Sequence, residues 1–158
     1  MIDIVDYNEN WPKVFLKEKV LIQKALGSLC LEIHHFGSTA VKGLLAKPKI
    51  DILIVVESFS SMDIAALEKI GFENRGEVIP TGRYFSKKTP RVHLHFFEKG
   101  NPLIKQNLKF RNYLRLHDED RIAYANLKKE LALLHSDGME YCLAKTEFIN
   151  NILKKYDT

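Results

Sequence analysis

The 158-residue chain lacks several features that would place it in a particular class of protein. It has only two cysteines, Cys30 and Cys142, which lie far apart in apolar surroundings and form no CxxC pair, so we expect two buried free thiols. No apolar run approaches the roughly 20 residues that span a bilayer. The N-terminus carries neither a basic leader nor an apolar signal core. These absences predict a cytoplasmic protein without membrane association.

A strong surplus of one charge is also missing. The chain has 24 Lys and Arg against 20 Asp and Glu, a net charge of +4, and its basic residues occur in short separate clusters. Such a surplus is compatible with a phosphorylated ligand, but solubility explains it equally well. No helix-turn-helix, zinc-finger or RNP signature is found, so nucleic-acid binding is not expected. What is present is an ordinary globular composition, 46% hydrophobic and 28% charged, of a length that fits one domain.

Hydrophobic periodicity predicts a chain that begins with a helix and continues as strands. The stretch "WPKVFLKEKVLIQKALG" has apolar residues near helical spacing and ends at Gly27. "CLEIHHF" alternates like a strand, and "KIDILIVVE" is the near-continuous β-branched run of a strand covered on both faces. A short helix in "SMDIAALEKIGF" then precedes β-rich sequence from Phe72 to Glu98.

After "KGNP" the pattern becomes helical for the rest of the chain. One helix is predicted to end near His117, a second to begin at Asp118, and a last one to cover "MEYCLAKTEFINNILKKY". The apolar stripe of the second helix is predicted to consist of Ile122, Leu127, Leu131 and Leu134. The sequence therefore predicts a single α+β domain over residues 1–158, with an N-terminal helix and a C-terminal helical half.

Gly37 and Ser38 follow the first predicted strand and form the first candidate phosphate site. Glycine lets the backbone approach a ligand, and a serine hydroxyl with backbone N–H groups can hold phosphate oxygens. Asp51 begins the next strand a dozen residues later. This arrangement is typical of the nucleotidyltransferase superfamily, in which the strand carries a second acid two positions on. Because alternate strand positions face the same side, the two acids together hold Mg²⁺ for phosphate chemistry.

In this chain the position of the second acid is occupied by Leu53. A single carboxylate holds Mg²⁺ weakly unless substrate phosphates or other oxygens complete the coordination. The same segment is therefore also compatible with a structural turn and a buried Asp51 that pairs with a nearby Lys, Arg or His.

Six stretches together resemble the GrpB family: "YNENWP", "HFGSTAV-GL-AKP-IDI", "HLHF", "FRNYLR", "AYANLKKELA" and, after it, "Y--AKTEFI". The resemblance extends from Tyr7 to about Ile152 and implies a branch of the nucleotidyltransferase-like fold, with a mixed β-sheet. Lys42 departs from the family pattern, which has proline there, whereas an apolar residue at Leu53 is shared by the family. In some bacteria such a domain is fused to dephospho-coenzyme A kinase. The resemblance implies a fold and a site more than a reaction.

"RVHLHFF" places His93 and His95 on one face of a strand. In the superfamily a later strand delivers a third acid, and the resemblance places these histidines at that position beside Asp51. Asp51, His93 and His95 are therefore the predicted catalytic residues and metal ligands, for Mg²⁺ or Mn²⁺ or for a softer ion such as Zn²⁺. One histidine could instead be a general base, or both could be structural.

Other polar side chains are predicted to surround the same pocket. His35 shares a strand with the turn and is expected to support the site from behind. The predicted phosphate- and ligand-binding residues are Gly37, Ser38, Lys47, Arg83, Arg111 and Lys145. Each of these cations could instead be solvated or ion-paired. The aromatic and apolar residues predicted to pack in the helical half are Phe110, Leu114, Tyr124, Tyr141 and Phe148.

Three functions are open from the sequence. The first is a nucleotidyltransferase-like protein that binds a nucleotide or another phosphorylated molecule and transfers a nucleotidyl or phosphoryl group with a divalent metal, Mg²⁺ or Mn²⁺. The second is a non-catalytic ligand-binding or accessory domain on the same fold, linked to coenzyme A metabolism. The third is a His/Asp metal-dependent hydrolase, which needs no second acid at Leu53.

Overall fold

In the computed structural model, which describes residues 2–156, six helices surround one five-stranded sheet. The N-terminal part consists of α1 (Asn10–Leu26), β1 (Glu32–Phe36), β2 (Ile50–Val56), α2 (Ile64–Lys69), β3 (Glu73–Gly76), β4 (Gly82–Lys88) and β5 (Arg91–Glu98). The C-terminal half consists of α3 (Pro102–Leu116), α4 (Asp118–Leu134), α5 (Gly138–Ala144) and α6 (Thr146–Tyr156). The predicted α+β organisation, with a helical C-terminal half, is confirmed.

The strand order in the sheet is β1-β2-β5-β4-β3. β2 and β5 pair in parallel, and the other neighbours pair antiparallel, so the sheet is mixed. The register places Asp51 opposite Phe36 on β1 and opposite His93 on β5. The first acid of the candidate site therefore lies in the interior of the sheet, next to the strand that carries both predicted histidines.

The two faces of β2 contribute to different parts of the core. Ile50, Ile52 and Ile54 face α1 and α2 in the larger apolar cluster. Leu53 and Val55 face the opposite side in the cluster beneath α3. Both sets are buried, which explains the continuous apolar run in the sequence. Since alternate residues share a face, Asp51 lies on the α3 side of the sheet with Leu53.

The helical half packs around a third cluster that includes Leu114 and Tyr124, as predicted. The last helix, however, is interrupted: α5 ends at Ala144, Lys145 leaves the helix, and α6 begins at Thr146. Threonine is less favourable inside a helix than at its start, which suits a break at this point.

The predicted stripe of α4 is partly wrong, because Ile122 and Leu134 are 57% and 75% exposed. The buried residues of this helix are Asp120, Tyr124, Lys128 and Leu131. Two polar residues can take buried positions here because both have partners: Asp120 contacts Lys155 and Tyr156, and Lys128 donates to the Leu45 carbonyl. Patterns of apolar residues alone could not reveal this face.

Both cysteines are free, as predicted, but the prediction that both are buried is wrong. Cys30 is partly exposed and Cys142, on α5, is exposed. Within residues 2–156, no helix combines the length and the apolar composition that crossing a membrane requires.

Candidate functional site

A cavity of about 350 Å³ lies between the α3 side of the sheet and the helical half. Its walls come from the turn after β1, from β2 and β5, and from α3, α4, α5 and α6. Seven predicted site residues line it: Gly37, Ser38, Lys47, Asp51, His95, Arg111 and Lys145. The fold thus brings together residues that are up to about a hundred positions apart in the sequence.

The turn that closes β1 is built against Asp51. Gly37 has φ 75° and ψ −173°, a conformation that L residues with side chains rarely adopt. A Cβ atom at this position would lie 2.9 Å from Oδ2 of Asp51. Ser38 then begins a short 3-10 turn over residues 38–40. Glycine is needed here both for its backbone conformation and for the close approach of the turn to the carboxylate.

Asp51 is the acid of the cavity, and its side chain is 14% exposed. His95 Nε2 lies 3.3 Å from Oδ1, and Lys49 Nζ lies 3.8 Å from the same oxygen. Burial raises the pKa of Asp51, but Lys49 and the hydrogen bond from His95 outweigh this effect and hold the pKa well below its usual range. Asp51 is therefore a carboxylate at neutral pH.

The two histidines of β5 have different partners. His95 contacts Asp51, and its ring lies edge-on to Phe36 and Tyr84. His93 Nδ1 instead forms a short hydrogen bond with the Tyr84 hydroxyl. Burial and, to a smaller extent, Lys49 lower the pKa of His93 to about 4. His93 is therefore neutral at pH 7, and burial raises the pKa of Tyr84 to about 12, so the protonated Tyr84 hydroxyl can donate a hydrogen bond to Nδ1.

The three predicted metal ligands do not form a preassembled centre. Within residues 2–156, no three His, Cys, Asp or Glu side chains are grouped so that they could hold one ion. Asp51 and His95 contact each other, while His93 is bonded to Tyr84 and lies outside the lining of the cavity. Asp51 alone offers the hard oxygen ligands that Mg²⁺ and Mn²⁺ prefer, so such an ion fits here only with further oxygens from a ligand.

His35 supports the turn from the other face of β1. Its Nε2 lies 3.0 Å from Oγ1 of Thr39, and its ring stacks on Phe15 of α1. Burial lowers the pKa of His35 to about 4. The Arg111 guanidinium donates to the backbone carbonyl of His35 at 2.9 Å, which ties α3 to the end of β1.

Arg83 lies outside the lining of the cavity. Its guanidinium pairs with Glu77 at 2.9 Å and lies over the ring of Phe59. Arg83 is paired with Phe96 in the register of β4 and β5, and Phe96 belongs to the larger apolar cluster, so Arg83 lies on the face of the sheet opposite Asp51. This geometry is that of the ion-paired alternative, and it gives Arg83 no direct role in the cavity.

Two cavity residues that sequence reasoning missed are Lys128 and Tyr141. Lys128 is 2% exposed, and its Nζ donates to the Leu45 carbonyl at 2.7 Å. Burial and, less strongly, the neighbouring Lys145 lower the pKa of Lys128 to about 6. Lys47 and Lys145 lie over the ring of Tyr141, at 4.7 and 4.5 Å from its centroid. No local sequence signal marks either residue as part of the cavity, because each reaches it only through the packing of its helix on the sheet.

The electrostatic character of the cavity is strongly basic. Among the described residues that line it, the basic side chains are Lys47, Lys49, Arg111, Lys128 and Lys145, of which Lys128 is mostly neutral at pH 7, and Asp51 is the only carboxylate. An enclosed surface of this kind favours anionic ligands, since desolvated positive charges gain most from a negative partner.

The sequence profile of the GrpB protein family matches residues 1–155. The chain is 38% identical to protein YqkA of Bacillus subtilis over 94% of its length, and it spans 45% of that longer relative. It is 34% identical to the Glutamate-rich protein GrpB of Alkalihalophilus pseudofirmus, covering 96% of this chain and 94% of that protein.

Solved structures agree with these matches. The crystal structure of the conserved protein GrpB from Enterococcus faecalis superimposes with a TM-score of 0.87 at 34% identity, covering 97% of this chain and 96% of that chain. The Cid1 poly(U) polymerase superimposes with a TM-score of 0.55 at 15% identity, over 80% of this chain and 43% of that chain. The second likeness concerns the fold alone, which is nucleotidyltransferase-like. The chain belongs to the GrpB family.

Proposed function

We propose that this cavity binds a nucleotide or another phosphorylated small molecule and, with a divalent cation, supports transfer of a nucleotidyl or phosphoryl group. The observation that carries the proposal is the charge of the cavity: Lys47, Lys49, Arg111 and Lys145 against one carboxylate among the described residues of its lining, with Lys128 as a further amine that an anion can protonate. Phosphate groups are the common small-molecule anions that match such a surface, because each can bind several donors at once.

The turn at Gly37 and Ser38 is the predicted phosphate contact on the sheet side. The positive φ of Gly37 and its lack of a side chain let the turn approach Asp51, so a phosphate held by the turn would lie beside the residue proposed to hold the metal. The Ser38 hydroxyl and the Arg111 guanidinium line the same cavity and supply donors. Arg111 is held by the His35 carbonyl, so its position requires little ordering when a ligand binds.

Asp51 is the residue that would hold Mg²⁺ or Mn²⁺, and phosphate oxygens would have to supply further ligands. A bound divalent cation would neutralise charge on the phosphates and polarise them. Asp51 is suited to this because its carboxylate is ionised at neutral pH. His95 orients the carboxylate through the contact of Nε2 with Oδ1, so only its Nδ1 would be free to act as a base toward a ligand hydroxyl.

The second candidate is a binding or accessory domain without catalysis. It is favoured by the contacts of Asp51, whose Oδ1 already has both Lys49 and His95 as partners. Because Leu53 stands in the place of a second acid, Asp51 would then have only a structural role, through its contacts with Lys49 and His95. The hydrolase alternative has no comparable support, because His93 is engaged by Tyr84.

Calorimetric titration with ATP, UTP, CTP and GTP, each with and without Mg²⁺ or Mn²⁺, tests these proposals. ATP and UTP come first because the Cid1 structure of the same fold is described as bound to Mg and 3′-dATP and as selective for UTP. The transferase proposal expects binding that the metal strengthens and that Asp51→Asn weakens about tenfold or more. Metal-independent binding that survives Asp51→Asn supports the accessory domain, and no binding of any nucleotide or phosphate overturns both.

A further inference from the structure

Lys47 and Lys145 share one aromatic ring inside the cavity. Their ammonium groups lie 4.7 and 4.5 Å from the centroid of the Tyr141 ring. Lys47 precedes β2 in the sequence, whereas Lys145 follows α5, so the fold and not the local sequence brings them together. Two like charges beside one ring repel each other, and this arrangement needs an explanation.

Partners distinguish these two lysines from the others that lie over aromatic rings. In residues 2–156 the remaining three each also meet an oxygen: Lys87 with Glu18 at 2.7 Å, Lys128 with the Leu45 carbonyl at 2.7 Å, and Lys155 with Asp120 at 3.2 Å. For Lys47 and Lys145, no oxygen within the same residues accepts a hydrogen bond or forms an ion pair with the ammonium group. The aromatic face is therefore a weak substitute for an absent anion.

Because both ammonium groups are partly buried, having an aromatic ring in place of an anion is unfavourable for them. Burial lowers the pKa of Lys47, and the neighbouring Lys49 and Lys145 lower it further, against a rise caused by Cys142. Burial also lowers the pKa of Lys145. The Tyr141 hydroxyl is itself buried and has no hydrogen-bond partner among the described residues. A buried hydroxyl without a hydrogen-bond partner is unfavourable, as is a buried ammonium group without an anion, so all three groups would gain from an anionic acceptor.

The two parts of the cavity are chemically different. On the sheet side, the Gly37–Ser38 turn lies beside Asp51, whose charge is already matched by Lys49 and His95. On the helical side, neither Lys47 nor Lys145 forms an ion pair with a carboxylate of residues 2–156, although Asp51 attracts Lys145 from a distance. A single phosphate can bind in only one of these two parts, whereas a ligand with several phosphoryl groups in a row can contact both.

Building on the proposed function, we infer that Lys47, Lys145 and Tyr141 form a clamp for the outer phosphoryl group of a ligand that carries two or more phosphoryl groups in a row. The phosphoryl oxygens replace the aromatic ring as the partner of both ammonium groups, and the Tyr141 hydroxyl donates to the same group once the lysines leave its ring. Tyr141, which the sequence indicates as a packing residue, is thereby a ligand-binding residue.

The test compares pyrophosphate with orthophosphate by isothermal titration calorimetry of the whole chain in EDTA. The variants are Lys47→Met, Lys145→Met and Tyr141→Phe, of which the last keeps the ring and removes only the hydroxyl. The matched control is Lys155→Met, which also removes a lysine from a tyrosine ring but outside the cavity. Circular dichroism and thermal melting identify any variant that fails to fold, and Lys145→Arg, which keeps the charge, then takes the place of Lys145→Met.

The clamp predicts that the wild-type chain binds pyrophosphate at least about tenfold more tightly than orthophosphate, since an added charge-assisted contact is worth about this factor. Lys47→Met and Lys145→Met each weaken pyrophosphate binding about tenfold and orthophosphate binding by less than about threefold. Tyr141→Phe lowers the ratio of pyrophosphate affinity to orthophosphate affinity about threefold, and Lys155→Met leaves this ratio unchanged. In the conservative variant Lys145→Arg the preference for pyrophosphate is retained.

Equal losses for both anions, or no loss in any clamp variant, overturn the clamp. If the wild-type chain binds pyrophosphate or a nucleotide and the clamp variants keep the wild-type ratio, only the clamp is wrong and the proposed function stands. If the wild-type chain binds no phosphate compound at all, both are wrong.

Discussion

Gly37 lies so close to Asp51 that a Cβ atom on the glycine would be 2.9 Å from Oδ2 of the carboxylate. The turn after β1 and the acid near the start of β2 are thus fitted to each other, although 13 residues lie between Gly37 and Asp51 in the sequence. Gly37→Ala is expected to destabilise the fold, because the φ of 75° strains any residue with a side chain and the added methyl group meets the carboxylate. The strain alone costs about 1–3 kcal/mol.

Urea unfolding measures this effect, and Gly27→Ala is the matched control. Gly27 also has a positive φ, of 56°, but a Cβ atom there has no neighbour within 4 Å. Gly37→Ala should therefore cost more than Gly27→Ala. The double variant Gly37→Ala with Asp51→Ala should recover part of the difference, since the clash is with the Asp51 side chain. Equal costs at the two glycines would contradict a specific contact with Asp51.

Asp51→Asn is expected to flatten the acid side of the stability profile. The pKa of Asp51 is depressed in the folded chain by Lys49 and His95 despite burial, whereas an unfolded aspartate titrates near about 3.9. A carboxyl with a depressed folded pKa adds stability that is complete above the unfolded pKa and is lost as the pH falls below it. Wild-type stability should therefore decrease below about pH 4 more steeply than that of the variant.

The measurement is the free energy of unfolding in urea between pH 3 and pH 6. Asp118→Asn serves as a control, because the Asp118 side chain is 78% exposed and lies outside the cavity. Parallel acid profiles for wild type and Asp51→Asn would show that the contacts with Lys49 and His95 contribute nothing to stability.

The parts of the site that could be predicted are those in which local sequence determines geometry. Gly37, Ser38 and Asp51 belong to one turn and the strand that follows it, so their spacing indicated a shared location before the fold was known. Lys128 and Tyr141 lie on helices in which lysine normally faces solvent and tyrosine normally packs in a core. Their place in the cavity depends on how those helices meet the sheet, and no local pattern encodes that.

For His93, the sequence predicted the correct strand face but not the hydrogen-bond partner. Its alternation with His95 correctly placed both on one strand face, and the register sets His93 opposite Asp51. His93 Nδ1 is nevertheless hydrogen-bonded to the hydroxyl of Tyr84, which lies on the neighbouring antiparallel strand. A partner from another strand decided the orientation, and the period-2 pattern carries no information about such a partner.

Leu53→Asp, which supplies the acid that nucleotidyltransferases have at this position, is expected to destabilise the chain without creating a metal site. Leu53 is fully buried and packs with Phe36, Val55 and Phe97 beneath α3. An unpaired carboxylate there would cost several kcal/mol, about 3–5 by comparison with broken buried ion pairs. Leu53→Met, which conserves volume, should cost less than about 1.5 kcal/mol.

Thermal melting with and without Mn²⁺ distinguishes the outcomes for Leu53→Asp. A lower melting temperature that Mn²⁺ does not restore agrees with a position reserved for the core. Recovery of the wild-type melting temperature in Mn²⁺ would mean that the fold retains room for a two-carboxylate site, contrary to the packing beneath α3.

Lys128→Met is expected to remove a pH dependence that is unusual for a lysine. The pKa of Lys128 is lowered to about 6 in the folded chain by burial and by Lys145, whereas an unfolded lysine titrates near about 10.4. Between these values the unfolded chain binds more protons, so this residue makes wild-type stability rise with pH from about 6 to about 10. The methionine fills a similar volume but has no proton to lose, so the difference in unfolding free energy between wild type and variant should grow in favour of wild type as the pH rises. Urea unfolding at pH 6, 7.5 and 9 measures this difference.

A phosphate ligand adds negative charge beside Lys128 and favours its protonated form, so pyrophosphate binding at pH 7.5 should take up protons in the wild type and fewer in Lys128→Met. Calorimetry in two buffers of different ionisation enthalpy measures this uptake. A pH-independent difference in stability together with equal proton uptake would place the Lys128 ammonium in contact with solvent, against the 2% exposure of this residue.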